Sequence, residues 1–519
     1  LVRRIHHQQH LAFATWKATG EEEARLAWDL TRNVVPRLYR LEGSARALPF
    51  VEDVAVPPER LAEFLTGLQE ILKQHEITAS LFGHAGHGQL HIRPFLDLAN
   101  PDHVYLMHKV AADIYHLTLD VDGTISGEHG AGLSRTWFMR DQFGPLYDVL
   151  REVKRIFDPQ NLFNPGRVVA DLPQPIHNNL RPVEVAPDLA PLSESSAGEE
   201  GYEVEPGDTD KPRITLQLAW SPDELAYTAR TCNGCGRCRT LAPEERMCPI
   251  YRFAPREEAS PRAKANLMRG ILTGRLDADA LADDDLKEIA DLCVNCHQCR
   301  IECPASVDIP RLMVEAKAQY VAINGMRLSD SLLTHLDRLA RWSNRLRPLY
   351  NWAIGNRQMR WLIEKMFGVA QGRKLPRIAR RSFLKLAQRR RLHRPARHSG
   401  RKVVYFVDVF ATWYDVELAE ATIDVLEHNG VSVFVPGKQL AAGMSAISEG
   451  AIDIARRLAT RNVALLADAI RQGYLVITTE PAATMCLTHE YPNLLDSDDA
   501  RLVAENTVDA CLYLWQMHE

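Results

Sequence analysis

The chain has 519 residues, 46% of them hydrophobic and 25% charged, with a net charge of −5. These proportions belong to a globular protein of three or four compact units, and no apolar run approaches the roughly 18 residues that a membrane span needs. No signal peptide opens the chain, which starts at Leu1 in polar, histidine-rich sequence and so reads as the C-terminal part of a longer polypeptide.

Apolar residues at helical intervals from Glu21 to Leu41 predict helix, with no catalytic motif before about residue 45. From Phe50 the text FVEDVAVPPERLAEFLTGLQEILKQHEI predicts a short strand, a turn at Pro57 and Pro58, and an amphipathic helix with Leu61, Phe64, Leu65, Leu68 and Leu72 on one face. A strand over Ala79–Phe82 runs into GHAGHGQLHIRP, and a helix from about His103 to Leu117 leads to DGTISGEHGAGLSR. This order, with an antiparallel sheet, predicts an α+β layer. His84 and His91 flank a glycine-rich turn, and Glu128 and His129 follow about forty residues later. Two imidazoles and a carboxylate from different elements match the ligand set of a divalent metal with open positions. Histidines hydrogen-bonded in a core beside glycine turns would give the same spacing.

GHAGHGQLH, SGEHGAGL and FDPQNLFNPGRVV, in this order, resemble the C-terminal cap domain of the FAD-linked oxidases that act on D-2-hydroxy acids such as D-lactate and D-2-hydroxyglutarate. The likeness covers about residues 1–170. It implies that His84, His91 and Glu128 hold a divalent metal, zinc or similar, and that His129 is the catalytic base. The chain departs from the family where His87, Gly88 and Gln89 replace Asp-Gly-Asn, and where Arg93 replaces an Asn two residues after the last histidine. Arg93 offers a guanidinium fork suited to a substrate carboxylate, with a surface ion pair as the alternative. The glycine-rich cradle for FAD is missing from the sequence, and in the family the flavin domain precedes the cap. Asn164, in the NPGRVV tail, is the residue that the resemblance turns toward the flavin.

Residues 171–215 are rich in Pro, Ser, Glu and Asp and read as a tether. The segment 216–325 holds eight of the ten cysteines: Cys232, Cys235, Cys238 and Cys248-Pro249, then Cys293, Cys296, Cys299 and Cys303-Pro304. Three closely spaced thiolates wrap a cubane, a distant fourth closes it, and in the bacterial ferredoxin pattern that fourth cysteine serves the other cluster. One 4Fe-4S cluster is therefore expected on Cys232, Cys235, Cys238 and Cys303, and a second on Cys293, Cys296, Cys299 and Cys248. Zinc rarely uses a third cysteine at this spacing. Ser260 as N-cap with Pro261 at the first helical position predicts a helix between the loops, and Asp284–Leu292 another that delivers Cys293. Cluster loops joined by helices resemble the α-helical ferredoxin modules of respiratory dehydrogenase iron–sulfur subunits. Cys486 and Cys511 read as buried hydrophobes, and so many thiolates point to a reducing compartment, the cytoplasm.

Residues 326–401 read as a basic helical connector. Between 327 and 402 stand 17 Arg and 4 Lys against 3 acids, with Trp342, Trp352 and Trp361 interleaved. Such a stretch packs as a solvated connector against the acidic remainder, or docks on an acidic partner or on anionic lipid at the inner face of the membrane. No nucleic-acid recognition motif accompanies the charge, so no nucleic-acid partner is expected. Residues 402–519 alternate strand VVYFVDVF, helix Val416–Asn429, strand VSVFVP, a helix from about Ser448 to Gln472, and strand YLVITTE, which predicts an α/β unit with a parallel sheet. This unit resembles the first half of the cysteine-rich (CCG) repeat of heterodisulfide reductase and glycerol-3-phosphate dehydrogenase subunits, with its thiols replaced. Ala441, Ala442 and Gly443 stand for Cys-Cys-Gly, and Pro481, Ala482 and Ala483 for Pro-Ser-Cys.

The expected fold is thus multidomain: an α+β cap over 1–170, an α-helical ferredoxin domain with two 4Fe-4S clusters over 216–325, and a C-terminal α/β domain resembling a degenerate cysteine-rich repeat. The expected function is that of a flavin- and iron–sulfur-dependent oxidoreductase. It takes a D-2-hydroxy acid to the 2-oxo acid and passes electrons through two clusters to a quinone, cytochrome or other redox protein. A non-catalytic electron-transfer subunit, its cap histidines vestigial, is the competing reading.

Overall fold

The computed structural model describes residues 3–10, 13–14, 16–41, 43–181, 215–395 and 400–518. Most of the expected tether, 182–214, lies outside the described residues. The chain divides into two compact units, the first over 1–184 with 304–306 and the second over 185–303 and 307–519.

Four strands build the sheet of the first unit: β1 (Arg46–Ala47), β2 (Val54–Ala55), β3 (Ala79–His84) and β4 (Gln89–Leu96). All pair with β4 in antiparallel register, β3 along its whole length from Ala79 opposite Pro94 to His84 opposite Gln89. Side chains alternate across a strand. Leu90, Ile92 and Leu96 therefore enter the core with Phe64 and Leu68 of helix Leu61–Gln74 and Val110, Ala111 and Ile114 of helix Pro101–Asp120. Gln89, His91 and Arg93 are left to the opposite face. The turn between β3 and β4 needs a glycine at 88, because its φ is 67° and a Cβ there would lie 1.8 Å from the Val56 carbonyl oxygen.

The expected strand FVEDVAV shrinks to Val54–Ala55. Asp53 adopts φ 73°, a left-handed conformation that breaks the ladder and turns its carboxylate inward. Glu21–Leu41 is helical as expected, in two pieces, Glu21–Arg32 and Val34–Leu38, neither of which buries a residue.

In the second unit, the cluster loops hang from helices Pro222–Arg230, Pro261–Leu272, Asp284–Asp291 and Ile309–Asn324. Ser260 caps its helix, its Oγ accepting from the Ala263 amide at 3.2 Å, with Pro261 at the first helical position. Helix Ile309–Asn324 is buried on nearly every side, and its polar residues are matched. The Glu315 carboxylate accepts from the amides of Gln217 and Leu218 and from the Trp220 indole.

The segment expected as a connector forms helices Leu328–Thr334, Leu336–Arg345, Arg347–Gly355, Arg357–Phe367 and Phe383–Arg389. Its last part is more than a connector. Phe383, Ala387 and Leu392 belong to one apolar core with Val403, Tyr405 and Ile423, so a boundary at 401 cuts through a packed interior. The C-terminal sheet, β5 (Lys402–Tyr405), β6 (Ser432–Phe434), β7 (Leu475–Thr478) and β8 (Thr507–Asp509), is parallel in the order β6-β5-β7-β8. The strand expected over VVYFVDVF ends at Tyr405, and Val409–Trp413 is helical. At the position of the alanines, the Ala442 carbonyl accepts from the Cys486 thiol at 3.1 Å and the Tyr491 hydroxyl at 2.9 Å, so this cysteine is buried as expected. Cys511 is exposed instead, because it lies near the start of helix Ala510–His518, which buries only Ala510 and Tyr513.

Candidate active site and cluster cavities

The polar face of the β3–β4 hairpin collects the histidines. His84 ends β3 and His91 lies on β4, opposite Phe82, whose ring stacks on it at 4.8 Å. The loop after helix Pro101–Asp120 brings Glu128 and His129 over this face. Glu128 Oε1 lies 3.5 Å from His91 Nε2, 3.9 Å from His84 Nε2 and 3.8 Å from His129 Nε2. The His129 ring stacks on His91 at 5.1 Å. Single ligand atoms of His84, His91 and Glu128 all lie within 4.8 Å of one another. His91 is buried, whereas His84, Glu128 and His129 are open to solvent, which leaves one side free for a small molecule. Burial holds the His91 imidazole below its usual range, against the pull of Glu52 and Glu128, so it is a neutral donor of the kind a metal takes. The Gln89 side-chain oxygen is buried beside it with no hydrogen-bond partner among the described residues. This donor set fits a divalent cation.

Two acidic residues that the sequence reading passed over hold the loop. The Asp53 carboxylate accepts from the amides of Glu128 and His129, each at 2.8 Å, from Gln89 Nε2 at 3.0 Å and from Ser126 Oγ at 3.1 Å. Burial works to raise the Asp53 carboxyl, but these hydrogen bonds together hold it below the ordinary range. Its stabilising effect is therefore complete above the unfolded value of about 3.9 and is lost as pH falls through the lower folded value. Asp53→Ala is expected to orphan these donors at about 1–3 kcal/mol each and to weaken metal binding about 10- to 100-fold. Thermal unfolding and metal titration of the variant measure the two effects.

Glu52 lies between Arg93 and His129. Its Oε2 is 2.6 Å from Arg93 Nη2, and its Oε1 is 3.4 Å from His129 Nδ1. Arg93 is buried, donates from Nη1 to the Tyr39 hydroxyl at 2.9 Å, and stands over the Phe82 ring at 5.7 Å. It is thus neither a surface ion pair nor an open fork. Both terminal nitrogens are taken, and the residue fixes Glu52, which in turn faces His129. Arg135, also buried, donates to the carbonyls of Gly130 and Glu52 and pins both loops. Asn164 sits on the exposed stretch after helix Leu146–Phe157 with φ 47°, its carbonyl accepting from the Arg167 amide.

In the second unit, Cys248 lines one cavity with Cys293, Cys296 and Cys299, joined by Lys264 and His297. Burial pushes the Cys293 and Cys299 thiols up, and the neighbouring sulfurs of Cys248 and Cys296 push Cys299 further. Burial likewise pushes Cys238 up to about 11, with Cys232, Cys235 and Cys303 adding to the effect. Cys248 thus lines the cavity of the second triplet, and Cys303 is near enough to Cys238 to act on its thiol. Thiols held up in this way, as Cys238, Cys293 and Cys299 are, become thiolates when a cationic centre such as iron is bound beside them. Lys264, buried, donates to the Ala259 carbonyl at 2.9 Å beside the second group. The loop between Cys293 and Cys299 is held by the C-terminal part of the same unit. Asn295 Nδ2 donates to Glu490 Oε1 at 3.0 Å, His297 Nε2 lies 2.6 Å from the same oxygen, and Lys317 Nζ joins the carbonyls of Cys293 and Ser448.

A histidine–carboxylate cluster lies on the α+β sheet of the first unit, and eight cysteines lie on the helical loops of the second. Residues 4–168 match the family described as FAD linked oxidases, C-terminal domain, and residues 228–307 match the 4Fe-4S dicluster domain. The chain therefore joins an FAD-linked oxidase C-terminal domain to an iron–sulfur domain. It is 27% identical to the D-2-hydroxyglutarate dehydrogenase of Pseudomonas putida over 515 residues, covering 91% of this chain and 48% of that protein. With the D-2-hydroxyglutarate dehydrogenase of Escherichia coli it shares 26% over 516 residues, 89% of this chain and 47% of that one. The D-lactate dehydrogenase of Archaeoglobus fulgidus is 31% identical over 167 residues, 30% of this chain and 37% of that protein. The chain spans about half the length of the D-2-hydroxyglutarate dehydrogenases that it matches.

Proposed function

We propose that this chain carries the metal site and the electron outlet of a flavin-dependent dehydrogenase that converts a D-2-hydroxy acid of the D-2-hydroxyglutarate class to the 2-oxo acid. The observation that carries this reading is the meeting of His84, His91 and Glu128 on one sheet face, with His129 stacked beside them. The similarity to D-2-hydroxyglutarate dehydrogenases extends through both units, whereas the D-lactate dehydrogenases of Archaeoglobus fulgidus and Anaerostipes hadrus match 30% and 22% of the chain, which favours the first substrate.

His84, His91 and Glu128 would hold the divalent cation, which when bound supplies Lewis-acid polarisation of a substrate oxygen. FAD, when bound, supplies the two-electron acceptor. The protein's own groups do the rest. Glu52 faces His129 Nδ1 and favours the tautomer with its proton there, which leaves Nε2, on the Glu128 side, free to accept the hydroxyl proton. Arg93 fixes Glu52 from behind and so acts as a positioning residue in place of a direct substrate fork. Helix Leu146–Phe157 and the loop after it expose Leu146, Val149, Ile156, Phe157, Leu162 and Phe163. An apolar surface of this kind is normally covered; in this reading the flavin domain covers it, next to Asn164. In the second unit, the crossed quartets would hold two 4Fe-4S clusters, which when bound supply one-electron transfer. The test is an anaerobic screen of D-2-hydroxy acids with an artificial dye on the FAD-loaded protein. Turnover of D-2-hydroxyglutarate above D-lactate is expected, and reduction by neither acid would defeat the reading.

A further inference from the structure

The three helices Leu336–Arg345, Arg347–Gly355 and Arg357–Phe367 are unlike the rest of the surface. Each presents a tryptophan to solvent: Trp342 is 62% exposed, Trp352 54% and Trp361 54%. Aliphatic side chains stand out beside them, among them Leu339, Leu346, Leu349 and Met366. The charge around these groups is almost wholly positive, since Glu364 is the one acid between Arg338 and Val407, and its carboxylate is occupied by the Gln371 amide at 2.8 Å. Among the described residues no carboxylate pairs with Arg338, Arg345, Arg357, Lys365, Arg373 or Lys374.

Beside the last helix lies an open cleft of about 440 Å³ lined by Arg357, Arg360, Arg373 and Lys374, with Gly355 and Gly372 at its wall. Arg360 is only 5% exposed. Its Nη2 donates to the carbonyls of Ala370, Gln371 and Arg373, and its Nη1 has no hydrogen-bond partner among the described residues. A guanidinium stays charged at any physiological pH. A buried one held only by carbonyls, in a cleft shared with three more cations, is a site short of an anion.

We propose that these helices dock the protein on a bilayer containing anionic phospholipid, with a headgroup phosphate in the Arg357–Arg360–Arg373–Lys374 cleft and the tryptophans at the level of the headgroups. The ring of Trp, apolar at its body and polar at its N–H, suits the membrane–water boundary, and clustered Arg and Lys are drawn to an anionic leaflet. The aliphatic neighbours distinguish this surface from a platform for single-stranded nucleic acid, where successive bases need aromatic faces. No helix among the described residues is long and apolar enough to cross a membrane, so the contact is with the surface.

Co-sedimentation of the full, iron-loaded chain with vesicles tests this. Vesicles of mixed phosphatidylglycerol and phosphatidylcholine should bind at least tenfold more tightly than phosphatidylcholine alone, and binding should fall as salt rises. Tryptophan emission should shift to the blue on binding and be quenched by brominated acyl chains. Arg357→Ala with Arg373→Ala and Lys374→Ala, and separately Trp352→Ser with Trp361→Ser, should each weaken binding tenfold or more with iron content unchanged. Both sets alter exposed side chains. Equal binding to neutral vesicles, unchanged binding by both variants, absence of quenching, or displacement from vesicles by single-stranded RNA at physiological salt would each overturn the proposal.

Discussion

His129→Ala should lower turnover of the FAD-loaded protein by about 10²- to 10⁴-fold, the usual loss on removing a general base, while its bound metal stays in place. His84→Ala and His91→Ala should instead lose metal and turnover together. The difference follows from position. His84, His91 and Glu128 bring their ligand atoms within 4.8 Å of one another, whereas His129 turns Nδ1 to Glu52 and groups through Glu128 with Asp53 instead of with the other two histidines. Metal analysis of the three variants, set beside steady-state rates, separates the roles. A His129→Ala protein with full activity would remove the base, and one that also lost its metal would make His129 a ligand. Glu52→Gln provides a finer check: it keeps the shape but weakens the hold on Nδ1, so the pH profile should change more than the metal content.

Cys248→Ser should reduce the iron of anaerobically reconstituted protein from about eight to about four per chain, four being the content of one cubane. The cluster lost should be the one on Cys293, Cys296 and Cys299, because Cys248 lines their cavity and stands among the sulfurs around Cys299. Cys303→Ser should remove the other, since Cys303 lies with Cys232 and Cys235 around Cys238. Electron paramagnetic resonance of the reduced variants identifies which signal remains. If each variant removed the cluster of its own sequence motif, the crossing would be refuted. An iron count near twelve would place a third cluster in the C-terminal sheet, where Ala441, Ala442, Ala482 and Ala483 leave no thiolates.

Much of this was legible in the residues. The cysteine spacing carries its own geometry, because a loop of three thiolates two residues apart has few other uses, and the structure brings Cys248 to the cavity of the second triplet and Cys303 near Cys238. His84, His91, Glu128 and His129 also meet as their motifs implied. What escaped the sequence was the support. Glu52 and Asp53 sit inside text that reads as an alternating strand, and nothing local reveals that Asp53 takes a left-handed conformation and turns under the distant loop 126–129. The only available hint was a pair of adjacent acids in an otherwise apolar run. Arg93 reads from the sequence as a substrate fork or a surface ion pair, and its buried partners, Tyr39 and Glu52, come from segments with no visible motif. Strand β8 is three residues long and only partly buried, too short for periodicity to register. The core residues Phe383, Ala387 and Leu392 were hidden by the arginines around them.

The hydrogen bonds from Asn295 and His297 to Glu490 tie iron to folding far along the chain. Glu490 ends the π-helical turn Cys486–Glu490, which packs against the helices Pro481–Met485 and Tyr491–Leu494. Lys317 adds a second tie, to the carbonyl of Ser448. A ligand that binds only the folded form stabilises whatever must fold in order to bind it, and here that includes the parallel sheet as well as the loop. Stripping iron from the second quartet should therefore speed amide exchange around Glu490 and β7, more than 150 residues beyond the last cysteine of its own triplet, and leave the histidine-bearing sheet of the first unit at its former rate. An alanine at 490 should do the reverse, making the second cluster the first to bleach in air. Maturation of the protein then has a direction: the parallel sheet, synthesised after the cysteine loops, is a condition for keeping iron already delivered upstream.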